Sequence, residues 1–261
     1  MPAGDPPPTR RVVVDSASIE YRWIGGPSPS AIVLLHEGLG STSTWKEFPE
    51  RLASASGESV FTYSRRGYGR SSSSPLPRGA SFMHEEAHEW LPSILAAVRI
   101  EHVVLVGHSD GASIALLYAS LGRTPLPRGL VLLAPHTFVE PKTVASIQSL
   151  DRQYGQDADL RERFARHHDR PETTFRGWTE VWLSPEFRDW DIQDVLPRID
   201  APVLVIQGED DEYGSIEQVT RVERLVRGRV ESRILPACGH APQRDQEDAC
   251  LAAMDDFLKA L

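Results

Sequence analysis

Cysteine is nearly absent from this 261-residue chain, with Cys238 and Cys250 the only two. Two thiols so placed build neither a disulfide framework nor a zinc site of the usual spacing. Long apolar runs are missing too. No stretch reaches the roughly 18 apolar residues that a membrane-spanning helix needs, so no membrane partner is expected. Lysine occurs only at Lys46, Lys142 and Lys259, and the remaining basic residues are scattered arginines. Acidic residues outnumber basic ones 37 to 28, for a formal charge of −9. Nucleic acids and anionic bilayers call for a clustered basic face, so neither is expected as a partner. Residues 1–10 are proline-rich and lack the apolar stretch of a secretory leader, which points to the cytoplasm.

What is present is an ordinary globular composition, 40% hydrophobic and 25% charged, in a chain long enough for one large domain. Short runs rich in Val, Ile and Leu recur at 31–35, 60–63, 102–106, 129–133 and 203–207, with a further run at 230–235. Such runs suit strands of a parallel sheet buried on both faces. Two opening runs, 11–14 and 19–24, flank a short polar turn and read as an antiparallel pair. Helical patterns fall between the runs, near 44–55, 82–98, 112–121, 216–226 and 246–261. The alternation implies an α/β layered fold with right-handed crossovers. It stops for about sixty residues after Leu133, far longer than an ordinary connection. The expected division is therefore a core of residues 1–134 and 199–261, with residues 135–198 inserted as a helical cap.

The run 102–106 leads directly into Gly107-His108-Ser109-Asp110-Gly111, and a helical pattern follows at once. G-x-S-x-G between strand and helix is the setting of a nucleophile elbow, in which a sharp turn lifts the serine hydroxyl above the sheet. The helix N-terminus adds free N–H groups for developing negative charge. A serine nucleophile needs a base, and the base needs an acid to orient it. His240, in Cys238-Gly239-His240, follows the last strand run and supplies the base. The acid is sought after the run 203–207, where Gly208-Glu209-Asp210-Asp211-Glu212 offers a surplus of carboxylates. Asp211 is the choice, and spacing alone leaves Asp210 open. The loop after Leu133 reads Ala134-Pro135-His136-Thr137 and offers no acid. An oxyanion hole is expected from the N–H of Asp110 and from the glycine-rich His36-Glu37-Gly38-Leu39-Gly40, through Gly38 or, next, Leu39.

Together these segments, with Ser64-Arg65-Arg66-Gly67-Tyr68-Gly69-Arg70-Ser71, make the chain from about residue 11 onward resemble the α/β-hydrolase superfamily. That resemblance implies an α/β-hydrolase fold and favours Asp211, because the acid there usually stands three residues after a glycine. Within the superfamily, the Ser-Asp-Gly elbow and the inserted segment resemble the valacyclovir hydrolase (biphenyl hydrolase-like) group. Those enzymes cleave amino-acid esters, which implies a role for Asp110 near a substrate ammonium. Glu37 departs from the pattern, since a glycine usually follows His36. It sets a second carboxylate beside the presumed pocket, which leaves two readings open: a substrate with a cationic amine near the scissile carbonyl, or two acids that face solvent or hold the loop.

The expected activity is acyl transfer to water on a small ester, or a related amide or lactone, with no cofactor and no metal. A lyase or carbon–carbon bond hydrolase of the same fold, and a weakly catalytic binding protein, remain alternatives. Phe175, Trp178 and Trp182 fall at helical spacing in the cap, where they either pack its interior or line the substrate pocket. Tyr213, beside the acid loop, is a further pocket candidate. His84-Glu85-Glu86-Ala87-His88 matches the H-E-x-x-H metal motif. Its helix, however, carries an apolar stripe and sits where the fold needs a packing element, so chance is the better account. Oligomeric state has no sequence signal here.

Overall fold

The computed structural model describes residues 9–261. Its strands are β1 (Arg10–Val14), β2 (Ala17–Ile24), β3 (Ser30–Leu35), β4 (Val60–Tyr63), β5 (His102–His108), β6 (Pro127–Leu133), β7 (Val203–Gly208) and β8 (Val230–Leu235). They form one sheet in the order β1-β2-β4-β3-β5-β6-β7-β8. β1 and β2 pair antiparallel across a turn in which Asp15 and Ser16 both have positive φ, the twist that favours tight hairpins. β2 pairs antiparallel with β4, and every pairing from β4 to β8 is parallel.

Side chains alternate across a strand, so a strand covered on both sides must be apolar at every position. β5 shows this: Val103 and Leu105 enter one buried cluster, Val104 and Val106 the other. The helices are α1 (Phe48–Ser56), α2 (Phe82–Glu85), α3 (Leu91–Ala97), α4 (Asp110–Ser120), α5 (Pro141–Gln156), α6 (Ala158–Ala165), α7 (Pro171–Leu183), α8 (Ile216–Leu225), α9 (Pro242–Asp245) and α10 (Glu247–Lys259). α1 and α10 cover one face through Phe48, Leu52, Met254 and Phe257. α3, α4 and α8 cover the other.

Two helices expected to be continuous are interrupted. A wide π turn, Glu86–Trp90, separates α2 from α3. Pro92 lacks the N–H that would bond the His88 carbonyl, and its ring crowds that oxygen, so the helix widens there; Arg123 Nη1 reaches the freed carbonyl at 3.5 Å. The pattern near 44–55 splits into a 3₁₀ turn, Thr42–Trp45, and α1, with Lys46 at φ 52° between them.

Between β6 and β7 run α5, α6 and α7. Proline opens α5 and α7, where its missing N–H costs nothing. Asp157 Oδ1 caps α6 by accepting the Leu160 N–H at 2.9 Å. Trp178, Val181 and Trp182 of α7 belong to the same buried cluster as Leu105 and Leu116, so this segment packs directly on the core. Among the described residues, no helix is long and apolar enough to cross a membrane.

Candidate active site

Parallel strands deliver their loops to one edge of the sheet, and ligands in open α/β sheets bind there. Ser109 follows β5 and precedes α4, with φ 54° and ψ −119°. This conformation costs a residue with a Cβ about 1–3 kcal/mol and persists only when the surroundings enforce it. Here the Ser109 N–H donates to the Leu133 carbonyl (2.9 Å) and its carbonyl accepts from the Ala112 N–H (2.9 Å). Gly111 is obligatory: a Cβ there would lie 2.0 Å from the Leu35 carbonyl oxygen.

His240, on the loop between β8 and α9, brings Nε2 to 2.9 Å from Ser109 Oγ. Its Nδ1 lies 2.9 Å from both carboxylate oxygens of Asp211. Burial alone would raise the Asp211 carboxyl. The bond and charge of His240, with the N–H groups of Gly214 and Tyr213, outweigh that and hold it down at about 2. Gln207 Nε2 donates to it as well, at 2.5 Å. An ionised Asp211 fixes the proton of the neutral imidazole on Nδ1, leaving Nε2 to accept from the serine hydroxyl. Asp210, the competing acid, is exposed, and the hydrogen bonds of the His240 imidazole go to Asp211 and Ser109.

The loop after β3 is held by its carbonyl oxygens. Arg65, buried, donates from its guanidinium to the carbonyls of His36 and Glu37. His168 Nε2–H donates to the Leu39 carbonyl at 3.0 Å while its Nδ1 accepts from the Gly69 N–H at 2.9 Å. In a trans peptide the N–H points opposite the carbonyl. Capture of the Glu37 oxygen by Arg65 therefore turns the Gly38 N–H to the other side of the loop. Gly38 and Leu39 both line the cavity beside Ser109.

That cavity has a volume of about 1140 Å³. By burial its wall divides into a covered, largely aromatic arm, with Trp178, Trp182, Ile147 and His136 buried beside half-buried Tyr213, and an open arm where Lys46, Glu47 and Arg51 are exposed. The Tyr213 ring lies 4.7 Å from that of His240, and burial pushes its phenol up to about 12, so it is neutral. Phe175 instead stacks on Tyr154, ring centroids 3.6 Å apart, between α7 and α5. Trp178 presses on the loop after β3 so closely that a Cβ at Gly38 would lie 2.0 Å from its Nε1.

The two carboxylates expected near a substrate cation part company. Glu37 lines the cavity; burial raises its carboxyl, but His108 beside it outweighs that and brings it down to about 2. The expectation for Asp110 is corrected. Its side chain is fully buried, absent from the cavity wall, and accepts the Trp178 indole N–H at Oδ2, 3.0 Å away. Burial raises its pKa against the opposing charge of Arg65. A carboxylate sealed beneath Trp178 anchors α7 to the elbow and does not reach a substrate ammonium.

Sequence reasoning missed three groups. His108 donates from Nε2 to the His240 carbonyl at 2.7 Å, and its Nδ1 lies 3.0 Å from Gln243 Nε2 and 3.6 Å from Glu37 Oε2. Its place just before the nucleophile was the available signal. Arg65 lies in the Ser64–Ser71 segment that carried the resemblance, but its action on a loop far from it in sequence was not foreseen, and no local pattern marks His168. The His84 and His88 rings lie 5.8 Å apart, and no group of three ligating side chains among the described residues could hold a metal ion.

Comparison with known proteins agrees with the fold. The model of the alpha/beta hydrolase family matches residues 32–253. The proline iminopeptidase of Levilactobacillus brevis is 26% identical, with 92% of each chain covered. The structure of a proline iminopeptidase from Mycobacterium smegmatis superposes with a TM-score of 0.77 at 19% identity, covering 97% of this chain and 98% of that one. That of an esterase from Rhodococcus sp. ECU1013 gives 0.73 at 19% identity, covering 97% and 99%. The chain belongs to the alpha/beta hydrolase family and is a hydrolytic enzyme.

Proposed function

We propose that the protein is a serine hydrolase that cleaves a small ester, or a related amide or lactone, through an acyl-enzyme on Ser109. The observation that carries this reading is the chain of contacts from Ser109 Oγ to His240 Nε2 and from His240 Nδ1 to an ionised Asp211. In the first step the Ser109 oxygen bonds to the acyl carbon as its proton passes to His240 Nε2. The N–H groups of Asp110 and Gly38 receive the charge that develops on the carbonyl oxygen, each such donor being worth about 3 kcal/mol of barrier. The tetrahedral adduct expels the leaving group, which takes the proton from His240. Water then adds to the acyl-enzyme with His240 again as base, and Ser109 is released. Relatives named as esterases and proline iminopeptidases fit an ester or amide bond.

The substrate in this reading carries a cationic amine near the scissile carbonyl. Of the cations in the cavity wall, Arg22, Arg51 and Arg244 are each paired with a carboxylate, leaving Lys46 against Glu37, Glu47 and Glu212. Residues 135–198 act as the cap that closes the aromatic arm. The two free, buried cysteines fit a reducing compartment, and the cytoplasm is the proposed location.

The test is labelling of Ser109 by a fluorophosphonate, beside hydrolysis of an amino-acid ester and its N-acetyl twin. Wild type is expected to be labelled and Ser109→Ala to be neither labelled nor active. An unlabelled wild type overturns the mechanism, and equal rates on the two esters overturn the cationic substrate.

A further inference from the structure

His136 stands in the wall of the aromatic arm and has no part in the reaction just described. Its loop is tied down on both sides, with Ser113 Oγ donating to the His136 carbonyl at 2.6 Å and the Thr137 N–H donating to Gln218 Oε1 at 2.7 Å. The ring meets Trp182 edge-on, centroids 5.4 Å apart, and lies 5.5 Å from the ring of His240. Only 2% of the residue is exposed. Nδ1 is buried without a partner, and neither ring nitrogen makes a hydrogen bond among the described residues.

Burial pushes the imidazole down to about 3, so it is neutral at physiological pH and carries one ring proton. A proton on Nδ1 would be a buried, unpartnered donor, the rarest kind of orphan in folded proteins. The proton belongs on Nε2, the nitrogen left toward the cavity. A fixed neutral donor thus faces the covered arm, close to where His240 works.

We infer that His136 is a specificity-determining residue whose Nε2–H donates to an acceptor oxygen on the acyl part of the substrate. The class named is an acyl chain bearing an ether, keto or ester oxygen within a few atoms of the scissile carbonyl. The acyl part takes this arm because it stays bound through both steps, while the leaving group must depart along the open arm past Lys46 and Arg51. A site built to hydrogen-bond such an oxygen discriminates against a chain lacking it, because the donor is then left unpaired. This inference rests on the serine-hydrolase reading, and its test separates the two.

Ser109 would be inactivated with two p-nitrophenyl phosphonates, one carrying a 2-methoxyethyl and the other an n-butyl group in the acyl position. Second-order inactivation rates, each divided by the reagent's own hydrolysis rate, give a preference ratio. Wild type is expected to favour the ether by about fivefold, the worth of one neutral hydrogen bond. His136→Leu is expected to bring the ratio to about one. His136→Phe, which keeps the aromatic contact with Trp182, does the same and covers misfolding of the leucine variant. A wild-type ratio of one, or a ratio unchanged in the variants, overturns the inference with the serine-hydrolase reading intact. Failure of both reagents to modify Ser109 overturns that reading, and this inference falls with it.

Discussion

Lowering the pH should loosen the oxyanion loop through His168, and the size of the effect follows from where that ring sits. His168 is 5% exposed. Burial brings its imidazole down from an ordinary 6.5 to about 4, although the Leu39 carbonyl pulls the other way. Above pH 6.5 the ring is neutral in both folded and unfolded chains and contributes nothing to pH dependence. Below 6.5 the unfolded chain binds a proton that the folded chain refuses, so stability falls with pH until the folded ring titrates near 4. At pH 5.0 the loss is about 1.4 × (6.5 − 5.0), or roughly 2 kcal/mol. His168→Asn keeps an acceptor for the Gly69 N–H but loses the Leu39 bond and the ring contact with Phe164, whose centroid is 4.3 Å away. At pH 7.5 the variant should be less stable than wild type by about 1–2 kcal/mol. That gap should close by about 2 kcal/mol at pH 5.0, because only wild type pays the proton penalty. His36 and His136, also held neutral by burial, are common to both proteins and cancel. Urea unfolding followed by tryptophan fluorescence from pH 7.5 to 5.0 measures the gap. A constant gap across that range would refute the reasoning.

Three further substitutions probe the elbow and its supports. Asp211→Asn should lower kcat by about 10⁴-fold with little change in KM, because the imidazole loses the partner that fixes its tautomer; a loss confined to KM contradicts the proposed role. Gly111→Ala should give insoluble or inactive protein, since its Cβ would lie 2.0 Å from the Leu35 carbonyl oxygen, and a soluble, fully active variant would show that helix and strand can separate there. Trp178→Phe leaves the buried Asp110 carboxylate without its indole donor, so thermal and urea denaturation should show a loss of about 1–3 kcal/mol; an unchanged midpoint denies the anchor.

The strands and the ends of the sheet were legible because each is written locally. β3, β5, β6 and β7 are apolar at nearly every position, and only a sheet covered on both faces tolerates that. Ser109, Asp211 and His240 each follow a strand run, so chain order alone brings them to one edge. Chain breaks inside helices were less visible. The π turn at Glu86–Trp90 depends on one missing N–H at Pro92, and an apolar stripe passes over it unchanged. Lys46, at φ 52°, parts Thr42–Trp45 from α1 within what reads as one amphipathic stretch.

Asp110 was misread for a different reason, and the reason is general to this site. Neighbours on a nucleophile elbow point in different directions: Ser109 is thrust above the sheet, whereas Asp110 begins α4 and turns into the protein. There α7 lays Trp178 across it, and the same indole presses on Gly38. One side chain from the inserted segment thus touches the anchor of the first expected oxyanion donor and the backbone of the second. Arg65 and His168 then tie down the carbonyls of the same loop. The direction of the Gly38 N–H is therefore set by groups 27 to 140 positions away, which single-chain spacing does not reveal; they meet only because α7 packs Trp178 against Gly38 and Asp110.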